Sequence, residues 1–481
     1  MFSDVLKKKY FLEDVLIWGA LLFFVALQLN AISKGNFAGQ DYQRHCENIR
    51  LASEHPLTTF LRPVMDGTGM VSLYHVAGGS IYRIFGEKGS WRIIACLNLL
   101  ANVLAFLLIG RLLRKIFFSS VMRIAAFIFI LFLPLTVITT VVVAADAATV
   151  WLFVVMVWLL VVLCERLQQG RKVTGILILQ AFVLMVAFLN KLHYGICVFG
   201  TLAVVLFLWR YGLLYGKKLI SALLIVFVIP LIFMIMAQGI YTQPKMAVLG
   251  DPQDVPEWSR MDPRRLFFLT PHDPEVLAAP SFHEEEFVLY KIQPKAQTPN
   301  YFSYPALLHL GIYTDFLNIY QPIVYASNDP RVKDEYYTRI RLPDNRQRMS
   351  FAVKSALLFS GMALFSVIFW VILSLRNLWR RENLSDIPAM IMLSLGLPVF
   401  LGMALILPFT RWTYQQGVYL PRFILPALIF FFIMVFLAFE RMLVIRYSWM
   451  RWMILMVVIL QSLLHISFLW VQPETIQVLH A

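Results

Sequence analysis

Long uncharged runs recur from about residue 15 to residue 472, separated by short polar connections that carry clusters of Lys and Arg. A helix needs roughly 20 apolar residues to cross the hydrocarbon core of a bilayer. On that pattern the chain predicts eleven spans, at about 15–33, 92–110, 121–138, 146–164, 173–190, 195–209, 219–240, 351–375, 386–408, 419–439 and 452–472. The first follows Lys7, Lys8 and Lys9, is abutted by Glu13 and Asp14, and lacks a small-residue cleavage site. It therefore reads as a retained helix and not a cleaved signal peptide.

Basic residues set the expected orientation, because cytoplasmic flanks carry the excess of Lys and Arg. With the N-terminus in the cytoplasm, the inner flanks hold Lys7 to Lys9, then Arg111, Arg114, Lys115 and Arg123, then Arg166, Arg171 and Lys172. They continue with Arg210, Lys217 and Lys218, with Arg376, Arg380 and Arg381, and with Arg441, Arg446 and Arg451. The short outer connections and the tail 473–481 hold only Lys191 and Arg411, and an odd number of spans puts the C-terminus outside. Two outer segments are long, at about 34–91 and 241–350. The chain thus divides into an N-terminal membrane module over 1–240 with the first outer loop, a large outer loop over 241–350, and C-terminal helices over 351–481. The apolar, Gly-interrupted stretch 69–86 reads as a helix along the membrane surface. The aromatic stretch 302–323, with Asp315, reads as an interfacial segment. No inverted repeat and no low-complexity segment is evident.

Composition agrees with an all-α polytopic membrane protein. Of 481 residues 59% are hydrophobic and 15% charged, against roughly 45–50% and about 25% in soluble domains. A soluble globular enzyme, a disordered chain and a disulfide scaffold are excluded. The net charge of +14 reads as inner loops held against anionic lipid, not as a nucleic-acid surface. Cys46, Cys96, Cys164 and Cys197 are scattered, with no CxxC spacing.

The polar residues that stand out fall on the expected outer side. Asp41 follows the first span in GQDYQRH, and Asp146 opens the fourth in VVVAADAATVWLF. Lys191 and His193 lie in LNKLHYG; Arg411 and Arg422 flank the start of the tenth span. An ionisable group at a membrane edge is a functional hypothesis by default. Each also has a plainer reading: Asp41 as a solvated acid, Asp146 as a helix N-terminal charge, Lys191 as a snorkelling anchor and Arg422 as part of a solvated face. Together they suit one chemistry. A carboxylate serves as general base for an acceptor hydroxyl or amine. Lys and Arg hold a phosphate and stabilise it as it leaves. An apolar groove holds a polyprenyl chain. No GxxxxGK[ST] loop and no GxGxxG is present, in keeping with a nucleotide-free donor.

The same residues resemble the C-type (GT-C) integral-membrane glycosyltransferases, in particular the branch with protein O-mannosyltransferases and the lipid A aminoarabinose transferase. Four features carry the likeness in chain order. An acid follows the first span, ahead of a stretch ending YRIFG (Asp41 to Gly86). A span ending near Pro134 leads to Asp146. A Lys-x-x-x-Gly pair, Lys191 and Gly195, lies between later spans. YLPRFILPALIFFF, with Arg422 and Pro426, resembles the family's Arg-Tyr-x-x-Pro span. The resemblance implies an outward-facing site using a polyprenyl-phosphate sugar donor, with a lipid, glycan or protein as acceptor. Asp41 stands at the catalytic acid and Asp146 at a second acid, with Lys191, Arg422 and Arg411 toward the donor phosphate. Tyr42 stands where many members have a second acid, and Phe423 where the usual Tyr follows the Arg, which leaves the acceptor class open.

His45, four residues from Asp41, reads as an auxiliary group or a structural hydrogen bond, with Arg44 and His193 as further auxiliaries. The HEEE run, His283 to Glu286, reads as a solvated charge run, because consecutive side chains converge poorly on one ion. No cofactor is expected to be required, although some superfamily relatives depend on a divalent cation. Asp66 reads as a turn residue. The competing readings are a transporter or flippase for lipid-linked glycans, a non-catalytic assembly subunit, and an O-antigen ligase or polymerase. The compact chain points to a bacterial inner membrane.

Overall fold

The computed structural model describes residues 2–35, 42–54, 72–237, 309, 312–313, 343–380, 420–444 and 447–469. The described residues are helical throughout their regular structure, with no strand among them. Six helices are long and apolar enough to cross a membrane, and a seventh crossing is made if one bent pair counts as a span. The protein is therefore an integral, polytopic helical membrane protein. Thr174–Asn190, Tyr194–Arg210 and Phe351–Met362 are apolar but shorter. The expected span at 386–408 lies outside the described residues, as do the expected interfacial stretch 302–323, apart from residues 309, 312 and 313, and Asp66 and His283 to Glu286.

Helix α1 is Phe2–Ser33 and α2 is Tyr42–Glu54, the latter in the segment expected to form the first long outer loop. Helix α3 runs Leu73–Ile116 and bends at Gly86, whose φ of +67° is a left-handed value that glycine adopts without strain. The bend folds the 73–85 portion back along the rest. The amide of Asn98 donates to the Tyr74 hydroxyl (3.0 Å) across 24 residues of the same helix. The stretch expected to lie on the membrane surface is thus the first arm of a bent helix that continues into a span.

Helix α2 packs on that arm at close range. A Cβ at Gly79 would sit 2.8 Å from the Ala52 carbonyl carbon and the Ser53 nitrogen, both backbone atoms. Arg83 closes the end of α2 by donating to the Ser53 carbonyl from Nε (3.1 Å) and its terminal nitrogen. Gly79→Ala is expected to destabilise the protein by about 1–3 kcal/mol, because backbone cannot move aside as a side chain can. Gly89→Ala, where the nearest atom is Phe85 Cβ at 3.6 Å, is expected to be neutral or stabilising by up to about 1 kcal/mol. Thermal unfolding in one detergent compares the two.

The expected third span is broken. Helix α4 is Ser120–Leu131 and α5 is Pro134–Val141, and the two meet at 56°. Pro134 has no N–H to give and its ring clashes with the preceding turn, so the helix cannot run through it. An extended link, Val142 to Ala144, then leads into α6, Ala145–Gln168. Irregular backbone at membrane depth needs protein partners, and these come from separate helices. His465 Nδ1 meets the Phe132 carbonyl (3.1 Å), Gln28 donates to Val137 (2.8 Å) and Asn98 donates to Val142 (2.8 Å). Asn190 reaches the carbonyl of Ala145 and Asn102 that of Ala147, each at 3.0 Å.

Helix α7 is Thr174–Asn190, followed by a 3₁₀ turn Leu192–Ile196 and α8, Cys197–Arg210. A hydrophobic helix over Gly216–Ala237 passes through a π-turn at Leu224–Val228. The C-terminal half contributes α10, Pro343–Arg380, α11, Leu420–Phe439, and α12, Met450–Leu469, with the 216–237 helix as α9. It joins the first half through aromatic contacts. Phe129 of α4 lies 4.6 Å from Phe359, 5.0 Å from Phe432 and 5.5 Å from Phe436, centroid to centroid.

At the start of α4 the charges expected on an inner flank are partly buried. Arg123 is 5% exposed and binds buried Glu13 with two bonds, Nε to Oε1 at 2.9 Å and the terminal nitrogen to Oε2 at 2.6 Å. Arg114 bonds Asp14, and Lys115 bonds Glu165 near the end of α6. Arg123 therefore locks α1 to α4 and is not a solvated charge at the lipid surface.

Candidate active site

The N-terminus of α6 places Asp146 in its first turn, where aligned peptide dipoles favour an anion. The hydrogen bonds to the Val142, Ala145 and Ala147 carbonyls hold this turn from the sides of α3 and α7. Lys191 caps the C-terminus of α7, and its ammonium bonds the Asp146 carboxylate, with side chains 14% and 4% exposed. Gly195 lets the following turn close down, since a Cβ there would meet the Phe188 ring at 3.2 Å. Tyr194, also in that turn, is buried and bonds Thr149 one turn along α6.

A second polar group abuts the pair from α2 and the first arm of α3. His45 Nδ1 lies 2.8 Å from His75 Nε2, with the rings 19° from parallel. His75 Nδ1 accepts the backbone N–H of Ser72 (2.9 Å), and Ser72 Oγ lies 3.0 Å from the same nitrogen. This is a capping box with histidine in the place usually taken by Glu or Gln. Burial, followed by the influence of His45 and Lys191, holds the His75 imidazole well below its ordinary value. Burial, with Cys46 and Asp146 adding to it against the Asn98 hydrogen bond, keeps the Tyr74 phenol protonated well above its ordinary range. The geometric links are the Asp146–Lys191 pair, the His45–His75 contact, and Asn98, which joins Tyr74 to the Val142 carbonyl just before α6.

Asp41 and Arg411 lie outside the described residues. Arg44 falls in α2, His193 in the 3₁₀ turn and Arg422 in the first turn of α11, and their side chains lie outside the described residues. The structure thus pairs Asp146 with Lys191 and sets His45 against His75. It adds His75, Tyr74, Asn98, Asn102 and Asn190, which the sequence reading passed over. The one available signal was a lone polar residue within an apolar run. Among the described residues no group of three or more His, Cys, Asp and Glu is arranged to hold a metal ion.

Comparison with family models finds no match, and neither does comparison with curated proteins. Among solved structures, the apo oligosaccharyltransferase of Archaeoglobus fulgidus aligns with 95% of this chain and 56% of its own, at 13% identity and a TM-score of 0.47. The oligosaccharyltransferase AglB of the same organism, in complex with an inhibitory peptide and a dolichol-phosphate, aligns over 98% and 57%, again at 13% and 0.47. The chain thus spans a little over half the length of these structures. At such scores the likeness assigns neither fold nor activity, and the functional reading rests on the residues themselves.

Proposed function

We propose that the protein is a membrane glycosyltransferase that moves a sugar from a polyprenyl-phosphate donor to a lipid, glycan or protein acceptor at the outer face of the membrane. The observation that carries this reading is the buried Asp146–Lys191 ion pair at the start of α6, where Asn98 joins Tyr74 to the Val142 carbonyl. Buried charges at a membrane edge are costly and are retained where chemistry uses them. An ammonium has three N–H donors, so Lys191 can hold a carboxylate and a phosphate oxygen at once. Asp146 then serves as the acid that orients Lys191.

The step is a single displacement with inversion. The Asp41 carboxylate takes the proton of the acceptor hydroxyl or amine. The acceptor atom forms its bond to the anomeric carbon as the bond from that carbon to the phosphate oxygen breaks. The electron pair leaves on polyprenyl phosphate, whose charge is met by Lys191, Arg422 and Arg411.

Native mass spectrometry of the detergent-purified protein tests the donor. A co-purifying mass equal to polyprenyl phosphate plus a sugar is expected. Asp41→Asn is expected to keep that lipid and lose transfer by about 10²–10⁴-fold, the usual contribution of a general base. Full activity in both Asp41→Asn and Asp146→Asn, or no binding of added polyprenyl phosphate, overturns the reading.

A further inference from the structure

The Ser72–His75–His45 chain has a direction that hydrogen-bond chemistry dictates. A backbone N–H can only donate, so His75 Nδ1, 2.9 Å from the Ser72 nitrogen, carries no proton. The neutral His75 ring therefore holds its proton on Nε2 and donates it to His45 Nδ1 at 2.8 Å. His45 Nδ1 is then an acceptor, and the proton of the neutral His45 ring sits on Nε2. Protonating His45 at Nδ1 would set two N–H groups against each other. Reversing the chain is blocked, because a proton on His75 Nδ1 would face the Ser72 N–H.

We infer that His75 is a positioning residue that holds His45 as an uncharged hydrogen-bond donor through Nε2, so that His45 is neither the base nor a proton relay of the site. The tautomer stands on geometry alone; its use in transfer rests on the function proposed above. Among the described residues, the groups that face His75 reinforce its neutral state. Lys191, at the end of α7, acts on the dyad as a cation, and the Asp146 carboxylate of α6 is already engaged by it. Tyr74 of α3 is a neutral phenol, and Cys46 adjoins on α2 itself. The consequence for chemistry is that proton removal from the acceptor falls to a carboxylate. The unfolded chain takes up a proton on His75 near pH 6.5 that the folded chain refuses. Stability therefore falls as the pH drops below about 6.5.

The test uses the full chain, ¹⁵N-labelled at histidine and held in lipid nanodiscs. Difference spectra against His45→Gln and His75→Asn assign the two rings. His45 is expected to show a bare Nδ1 and a protonated Nε2, unchanged across about pH 5–8. His75→Gln, which keeps an N–H near the Nε2 position, is expected to preserve that pattern. His75→Asn, which keeps an acceptor for Ser72 but gives nothing to His45, is expected to raise the His45 titration to about 6.5. In a transfer assay, His75→Asn should add a step near that pH that His75→Gln lacks. A merely structural role would scale the whole profile equally. A proton on His45 Nδ1, or a wild-type His45 titrating near 6.5, overturns the inference. If a variant does not fold, the wild-type spectrum decides. A protein that transfers no sugar overturns the function proposed above and leaves the tautomer to the spectrum.

Discussion

Asp146→Ala is expected to lower stability by about 3–5 kcal/mol, the cost of leaving one member of a buried ion pair without its partner. The Lys191 ammonium is only 14% exposed, so water does little to replace the lost carboxylate. The double variant Asp146→Asn with Lys191→Met removes both charges and keeps most of the volume. It is expected to regain most of that stability, because a buried pair replaced as a unit is often near neutral. Sugar transfer should not return with it, since neither an ammonium for the phosphate nor the acid that orients it remains. Unfolding midpoints in detergent, read beside the transfer rate, separate the two roles. A double variant that transfers sugar at the wild-type rate would make the pair a structural brace only.

Arg123→Met should cost a similar amount, about 3–5 kcal/mol, but leave the chemistry nearly unchanged. Among the described residues the substitution leaves Glu13, 1% exposed, with the 3.5 Å approach of Arg114 as its one cation, and removes the donor to the Phe117 carbonyl (2.8 Å). Yet it lies at the far end of the bundle from Asp146. Helix α6 runs from Asp146 to Glu165, which pairs with Lys115 beside this network. At 1.5 Å per residue that separation is roughly 28 Å, close to the thickness of a bilayer core. The transfer rate per folded molecule is expected to stay within about twofold of wild type. Glu13→Gln combined with Arg123→Met should restore most of the stability. A large fall in rate for folded Arg123→Met would mean that the two ends of the bundle communicate.

The two ends were unequally legible in the sequence. Asp146 and Lys191 stand out because each is a charge beside a long apolar run, and such charges are rare enough to notice. Their contact was not legible, because 45 residues separate them and no spacing rule links the two ends of different helices. Arg123 looked like any basic residue flanking a span. Only its burial against Glu13, 110 residues away, makes it a brace. Pro134 was visible, but the apolar run continues past it to Val143, so hydropathy alone drew one span where the backbone makes two helices. Gln28, Asn98, Asn102 and Asn190 carry no motif that sets them apart in the sequence. Their partners are main-chain carbonyls exposed by that break, and a carbonyl's need for a donor depends on conformation and not on residue type. His75 was passed over in a stretch read for its apolar character.

Sequence by itself determined that the chain is an integral membrane protein built of helices, and where most of those helices run. Burial of apolar surface is roughly proportional to area and without direction, so composition along the chain is enough to read it. The tertiary structure decided which polar groups meet: Lys191 with Asp146, His75 with His45, and the amides with the carbonyls of the link into α6 and its first turn. Hydrogen bonds and ion pairs require donor and acceptor within about 3 Å and correctly aimed. That condition is set by how helices far apart in the chain pack, which no local pattern records.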